Sequence, residues 1–113
     1  MQLVMQDNYS GAVEEELLLV KSQKALNSFF AKINRTRKPG LTVPEVDFTK
    51  VFLIIWCPGE GYSKTPELSL KKETDKELVI KKNTSAKKTI NTSFTSPFSI
   101  YKLPISKKKI VLE

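Results

Sequence analysis

A chain of 113 residues with a formal charge of +7, one cysteine and no histidine has room for one hydrophobic core but lacks the commonest catalytic groups. The missing histidine removes the usual general acid–base, the usual partner of a Ser or Cys nucleophile, and the commonest metal ligand. Cys57 stands alone, which excludes an intramolecular disulfide and a thiolate zinc cluster. The expectation is therefore a protein that is not an enzyme and carries neither metal nor cofactor. No apolar run approaches the roughly 20 residues of a transmembrane helix. Met1 to Gln6 has neither a basic n-region nor an apolar h-region, so no signal peptide is expected in this chain.

Charge is unevenly placed. Residues 1–60 hold seven cations and seven acids, whereas residues 61–113 hold twelve lysines and five acids. A basic half attracts nucleic acid, anionic surfaces or acidic proteins. Arg35 and Arg37 are the only arginines, and lysine is a hydrated point charge, not the flat fork that reads phosphates and bases. Nucleic acid is not the expected partner.

In chain order, Gln6 to Gly11 reads as an opening turn and Glu16 to Lys21 as a first strand. Ser22 has the chemistry of an N-cap. Leu26, Phe29, Phe30 and Ile33 then fall at i, i+3, i+4 and i+7, which predicts a helix over residues 22–34 that ends before Lys38-Pro39-Gly40. Pro44-Glu45-Val46-Asp47-Phe48 reads as a turn into the apolar run Val51 to Cys57. That run is too short and too β-branched for a helix and suits a strand covered on both faces.

Pro58-Gly59-Glu60-Gly61-Tyr62 ends that strand. Leu68-Ser69-Leu70 and Leu78-Val79-Ile80, with a turn at Thr74-Asp75-Lys76 between them, have hairpin spacing. Lys81 to Lys88 reads as a polar loop. Thr95-Ser96-Pro97 turns into a strand in which Phe98 and Ile100 share one face while Ser99, Tyr101 and Leu103 share the other. Ile110-Val111-Leu112 reads as a closing strand. The prediction is one α+β domain over residues 1–113: a mainly antiparallel sheet or small sandwich over about 48–113, packed by one helix near the N-terminus.

Few residues invite a functional reading. Gly59, Glu60, Gly61 and Tyr62 fit either a recognition loop on a rigid sheet or a plain turn in which glycine supplies positive φ. Ser96, Pro97 and Phe98 form a second candidate partner-binding loop. Glu45 and Asp47 would be the carboxylates of a hydrolase, but beside Pro44 and Phe48 they better suit hydrogen bonding of a turn. Cys57 reads as a buried small hydrophobe and Trp56 as core. The lysines read as solvated surface that keeps sheet edges from pairing.

These blocks together resemble the PrcB C-terminal domain family, accessory subunits of bacterial surface protease complexes. The resemblance runs through Tyr9-Ser10-Gly11, Leu19-Val20, Ser22-Gln23, Arg37-Lys38-Pro39-Gly40 and Pro44 to Phe48. It continues through Gly61-Tyr62-Ser63, Thr95 to Phe98 and Lys102-Leu103-Pro104. It lies in order and spacing over almost the whole chain. Where the family has a longer Gly-x-x-Pro-Thr-Gly-Gly-Tyr loop, this chain has the shorter Pro58-Gly59-Glu60-Gly61-Tyr62. The resemblance implies an exported, non-catalytic protein-binding module of the cell envelope that stabilises or restrains a protease. A Gly-Tyr loop beside a Ser-Pro-Phe loop is also similar to the wedge loops of chagasin-like cysteine-protease inhibitors. Binding of nucleic acid or an anionic surface through the lysine-rich half is the remaining alternative.

Overall fold

In a computed structural model, the structure describes residues 1–7, 10, 14–35, 40–59, 67–83 and 96–113. These form strands β1 (Gln2–Asp7) and β2 (Glu16–Val20), helix α1 (Gln23–Asn34), and strands β3 (Val51–Cys57), β4 (Glu67–Glu73), β5 (Glu77–Asn83), β6 (Phe98–Pro104) and β7 (Lys109–Leu112). The fold is α+β, as expected. A four-stranded sheet has the order β1-β6-β3-β2, and a three-stranded sheet the order β4-β5-β7.

The helix begins where the sequence places it. The Ser22 hydroxyl accepts a hydrogen bond from the Ala25 amide at 3.2 Å, satisfying one donor that the first turn leaves without a partner. Leu26, Phe30 and Ile33 are fully buried against the four-stranded sheet, while Phe29, at the rim of the same face, is half-buried.

A helix of 12 residues is about 18 Å long and one helix wide, too narrow to cover four strands at about 4.8 Å spacing. The segment 40–50 covers the remainder. Its Leu41, Val43, Val46 and Phe48 pack on the same core. Amide side chains of the helix hold this strap by matching its backbone. Asn34 donates to the Leu41 carbonyl (3.0 Å) and accepts from the Leu41 amide (2.8 Å). Gln23 donates to the Pro44 carbonyl (3.3 Å) and accepts from the Val46 amide (3.4 Å). Gly40 leaves the room this needs, since a Cβ there would stand 3.1 Å from the Asn34 side chain.

β3 is the strand that organises both layers. It pairs with β2 from Glu16–Cys57 to Val20–Leu53 and with β6 from Val51–Pro104 to Trp56–Ser99, both antiparallel. Alternation sends Leu53, Ile55 and Cys57 toward the helix, and Phe52, Ile54 and Trp56 toward the second sheet. β6 repeats the division, with Phe98 and Ile100 on the helix side and Tyr101 and Leu103 on the other. The apolar run is therefore covered on both faces, which is why it shows no alternation of apolar and polar residues.

The second sheet contributes Leu68, Leu78 and Ile80 to the inter-sheet core, with Ile110 and Leu112 packed at its side. Its β4–β5 hairpin turns at Thr74, whose hydroxyl accepts from the Glu77 amide at 2.9 Å while its own amide donates to the Glu77 carbonyl. A polar bond joins the two sheets. The Leu68 amide donates to the Tyr101 hydroxyl at 3.0 Å, and burial of that ring pushes the phenol pKa up. Tyr101→Phe would leave a buried amide without its acceptor, so a loss of about 1–3 kcal/mol is expected in denaturant melts. A neutral substitution would contradict that role for the hydroxyl.

Two expectations need correction, and one pairing departs from the general antiparallel pattern. Gln6 and Asp7 are not in a turn: they end β1, an edge strand that pairs antiparallel with β6. Lys81, Lys82 and Asn83 are not in a loop: they continue β5. β7 joins β5 in parallel, within otherwise antiparallel pairing. The chain leaves β6 in the first sheet and crosses to the far edge of the second, so it arrives alongside β5 instead of folding back as a hairpin.

Candidate functional site

The candidate loops flank the ends of the two central strands. Gly59 is buried just past the end of β3 and has a φ of 111°, a backbone state that side-chain-bearing residues rarely adopt. The positive φ expected of a glycine here is present at Gly59. Glu60, Gly61 and Tyr62 lie outside the described residues.

Ser96, Pro97 and Phe98 are described, and all three are buried. The Ser96 carbonyl and hydroxyl both accept from the Ser10 amide, at 2.6 and 3.1 Å. Phe98 stands edge-on to Phe29 and Phe30, at centroid distances of 5.4 and 6.5 Å. Its side chain is spent on the core and is not presented to a partner. This corrects the reading of Ser96, Pro97 and Phe98 as a binding loop, and it removes one of the two presented loops that a chagasin-like wedge needs.

Cys57 ends β3 on the helix side and is 1% exposed. Burial pushes its thiol up to about 11, against a smaller opposite effect of a hydrogen bond from Ser10 and a small rise from the Glu16 charge. A thiol so protonated at neutral pH is a poor nucleophile. The sign of the pH dependence follows. The unfolded thiol ionises near 9.0 and the folded one near 11, so the unfolded state holds fewer protons between those values. The contribution is fully present below pH 9, and about 2–3 kcal/mol is lost as pH rises toward 11. Cys57→Ala should remove that part of the alkaline loss. Identical alkaline profiles for the two proteins would contradict the burial of the thiol.

Asp47 and Glu45 are both exposed on the strap. The Asp47 carboxylate accepts from the Thr49 amide at 3.1 Å and from the Thr49 hydroxyl at 2.5 Å, and these bonds hold its pKa below the usual carboxylate range. The Asp47 carbonyl also takes the Lys50 and Val51 amides. This residue builds the turn into β3, in keeping with the hydrogen-bonding reading. A carboxyl held ionised in this way is unsuited to donating a proton. Glu45 and Asp47 line an open surface depression with Gln23, Asn27, Val43 and Val46. Among the described residues no cluster of His, Cys, Asp and Glu could hold a metal ion.

Trp56 is buried, as its place on β3 predicts, and the Lys82 ammonium lies 5.6 Å from its ring centroid. Lys82 also pairs with Glu15 at 2.9 Å. Lys71 faces Glu113 and Lys108 faces Glu73. On the outward face of the second sheet, Lys72, Lys81 and Lys109 share register positions with Ser69, Val79, Val111 and Glu77. Acids thus interrupt the basic surface. Among the described residues no helix is long and apolar enough to cross a membrane.

The residues that sequence reasoning missed are the amides Gln23 and Asn34. Their only signal was a polar residue at each end of an amphipathic helix. Comparison with protein-family models, with curated proteins and with solved structures found no match.

Proposed function

We propose that this protein is a non-enzymatic protein-binding module of the cell envelope that stabilises or restrains a protease. The observation that carries this reading is the position of Gly59. It is buried at the end of the strand covered on both faces, with a left-handed backbone. The segment that follows Gly59 in sequence starts from a strand buried on both faces, and loops on a packed scaffold commonly carry recognition. Glu60, Gly61 and Tyr62 follow directly in sequence, and Tyr62 supplies the aromatic anchor that interfaces favour. Ser96, Pro97 and Phe98, buried at the start of the neighbouring strand β6, belong to the core of the scaffold.

The family resemblance supplies the protease as partner. The experiment is removal of the chain from its native envelope: one envelope protease should change its lifetime at least severalfold, and it should co-purify with the chain. An unchanged lifetime for every envelope protease would overturn the reading.

The polyanion alternative is less favoured because Lys71, Lys82 and Lys108 each face a carboxylate of the same chain. Binding to heparin or single-stranded DNA should be weak at physiological salt. Its logarithmic salt slope should be no steeper than about −2, as for two or three released counterions.

A further inference from the structure

Among the described residues the two sheets have four edge strands, and each edge offers unpaired amides and carbonyls to another chain unless something blunts it. Three are blunted. β1 breaks register between Leu3 and Met5. β4 breaks register between Leu70 and Lys72 and carries Lys71 and Lys72 exposed. β7 is four residues long and opens at Lys109, directly after Lys107 and Lys108.

β2 also opens on a charged run but has no register break and no lysine within it. It pairs with β3 in unbroken register, its interior is Leu17-Leu18-Leu19, and Leu19 is 46% exposed. Its flanks differ in sign, with Glu14, Glu15 and Glu16 at the beginning and Lys21 and Lys24 after its end.

We propose that β2 is a self-association edge, pairing antiparallel with β2 of a second copy about a twofold axis at Leu18. This is independent of the protease reading. The occupant follows from the charge pattern. In a parallel pair, Glu15 would face Glu15 and Lys21 would face Lys21. In the antiparallel pair centred on Leu18, Leu19 of one copy faces Leu17 of the other, and just beyond each strand end Glu15, whose carboxylate also takes Lys82, comes opposite Lys21. Opposite-charge pairs and apolar pairs directly across an antiparallel ladder are favourable, and like charges are not. The twofold pairing is isologous and therefore closed, so it ends at a dimer. It joins two four-stranded sheets into one of eight and covers the exposed Leu19. A contact of one short strand is at the small end of specific interfaces, so the dimer is weak, with a dissociation constant of about 10–500 μM.

The test is sedimentation equilibrium of the whole chain from about 1 μM to 1 mM. The weight-average mass should rise from 12.8 kDa toward twice that value. Leu19→Lys should raise the dissociation constant at least tenfold with an unchanged circular dichroism spectrum at low concentration. Leu18→Cys should form an intermolecular disulfide on mild oxidation with diamide, because the axis sets residue 18 opposite its own copy, whereas Leu70→Cys on the blunted β4 should not. The second pair keeps the register testable if the lysine variant does not fold. A mass of 12.8 kDa throughout would overturn the proposal, as would a dimer indifferent to Leu19→Lys or equal cross-linking at both positions.

Discussion

Phe98→Ala is expected to lower stability by about 3–5 kcal/mol, the range for removing a buried aromatic ring and leaving its cavity. Phe98 has no exposed surface, and its neighbours Phe29 and Phe30 meet it edge-on. Such pairs contribute roughly 0.5–1.5 kcal/mol beyond the area they bury. The ring also closes the contact between the helix and β6, so collapse around the hole would need the helix to shift. Phe30→Ala should cost about as much, and the double variant less than the sum, because the two rings line one space. Denaturant melts check all three. A loss below about 1 kcal/mol for Phe98→Ala would show that the Ser96-Pro97-Phe98 segment is not seated in the core.

Trp56→Ala is the corresponding change on the other face, with an expected loss of about 3–5 kcal/mol. Trp56 is 4% exposed, in the cluster that holds Phe52, Ile54, Tyr101 and Leu103 against Leu68, Leu78 and Ile80. Its removal would also take away the ring beneath the Lys82 ammonium, a contact of about 0.5–1 kcal/mol where the cation is partly exposed. Lys82→Met separates the two contributions and should cost no more than about 1 kcal/mol. Each large loss is a sizeable part of the 5–15 kcal/mol of a typical domain, so the single variants are the informative ones. If Trp56→Ala is mild while Phe98→Ala is severe, the second sheet is not docked on β3.

The parts of the fold legible in sequence are those set by local periodicity. The i, i+3, i+4, i+7 spacing of Leu26, Phe29, Phe30 and Ile33 placed the helix, and Ser22 placed its start. The unbroken apolar run from Val51 to Cys57 pointed to a strand covered twice.

What was not legible depended on long-range pairing or on broken periods. β1 escaped notice because its register shift between Leu3 and Met5 puts the successive residues Val4 and Met5 against the same core, which destroys the period of two. The parallel joining of β7 to β5 depends on where the chain crosses between sheets, and no local pattern encodes that. The Asn34 and Gln23 clamps reach backbone groups 7 to 23 residues away.

The candidate site divided along the same line. The positive φ of Gly59 was legible from glycine chemistry alone. Ser96-Pro97-Phe98 looked like a surface turn because Ser-Pro is turn chemistry. The contrary signal was the alternation of Phe98 with Ile100, which placed the ring on a covered face. A turn composition therefore did not outweigh a strand period that was already present.

Protein binding by this chain is proposed to depend on the segment that follows Gly59 in sequence. Immobilised wild-type chain and Tyr62→Ala, presented in equal amounts to native cell envelope, should give protease recoveries that differ at least tenfold, with the two proteins melting within a few degrees of each other. Loss of one aromatic hot spot of about 2 kcal/mol or more supplies that factor. Equal recovery by both proteins, or no protease recovered by the wild type, would contradict the account.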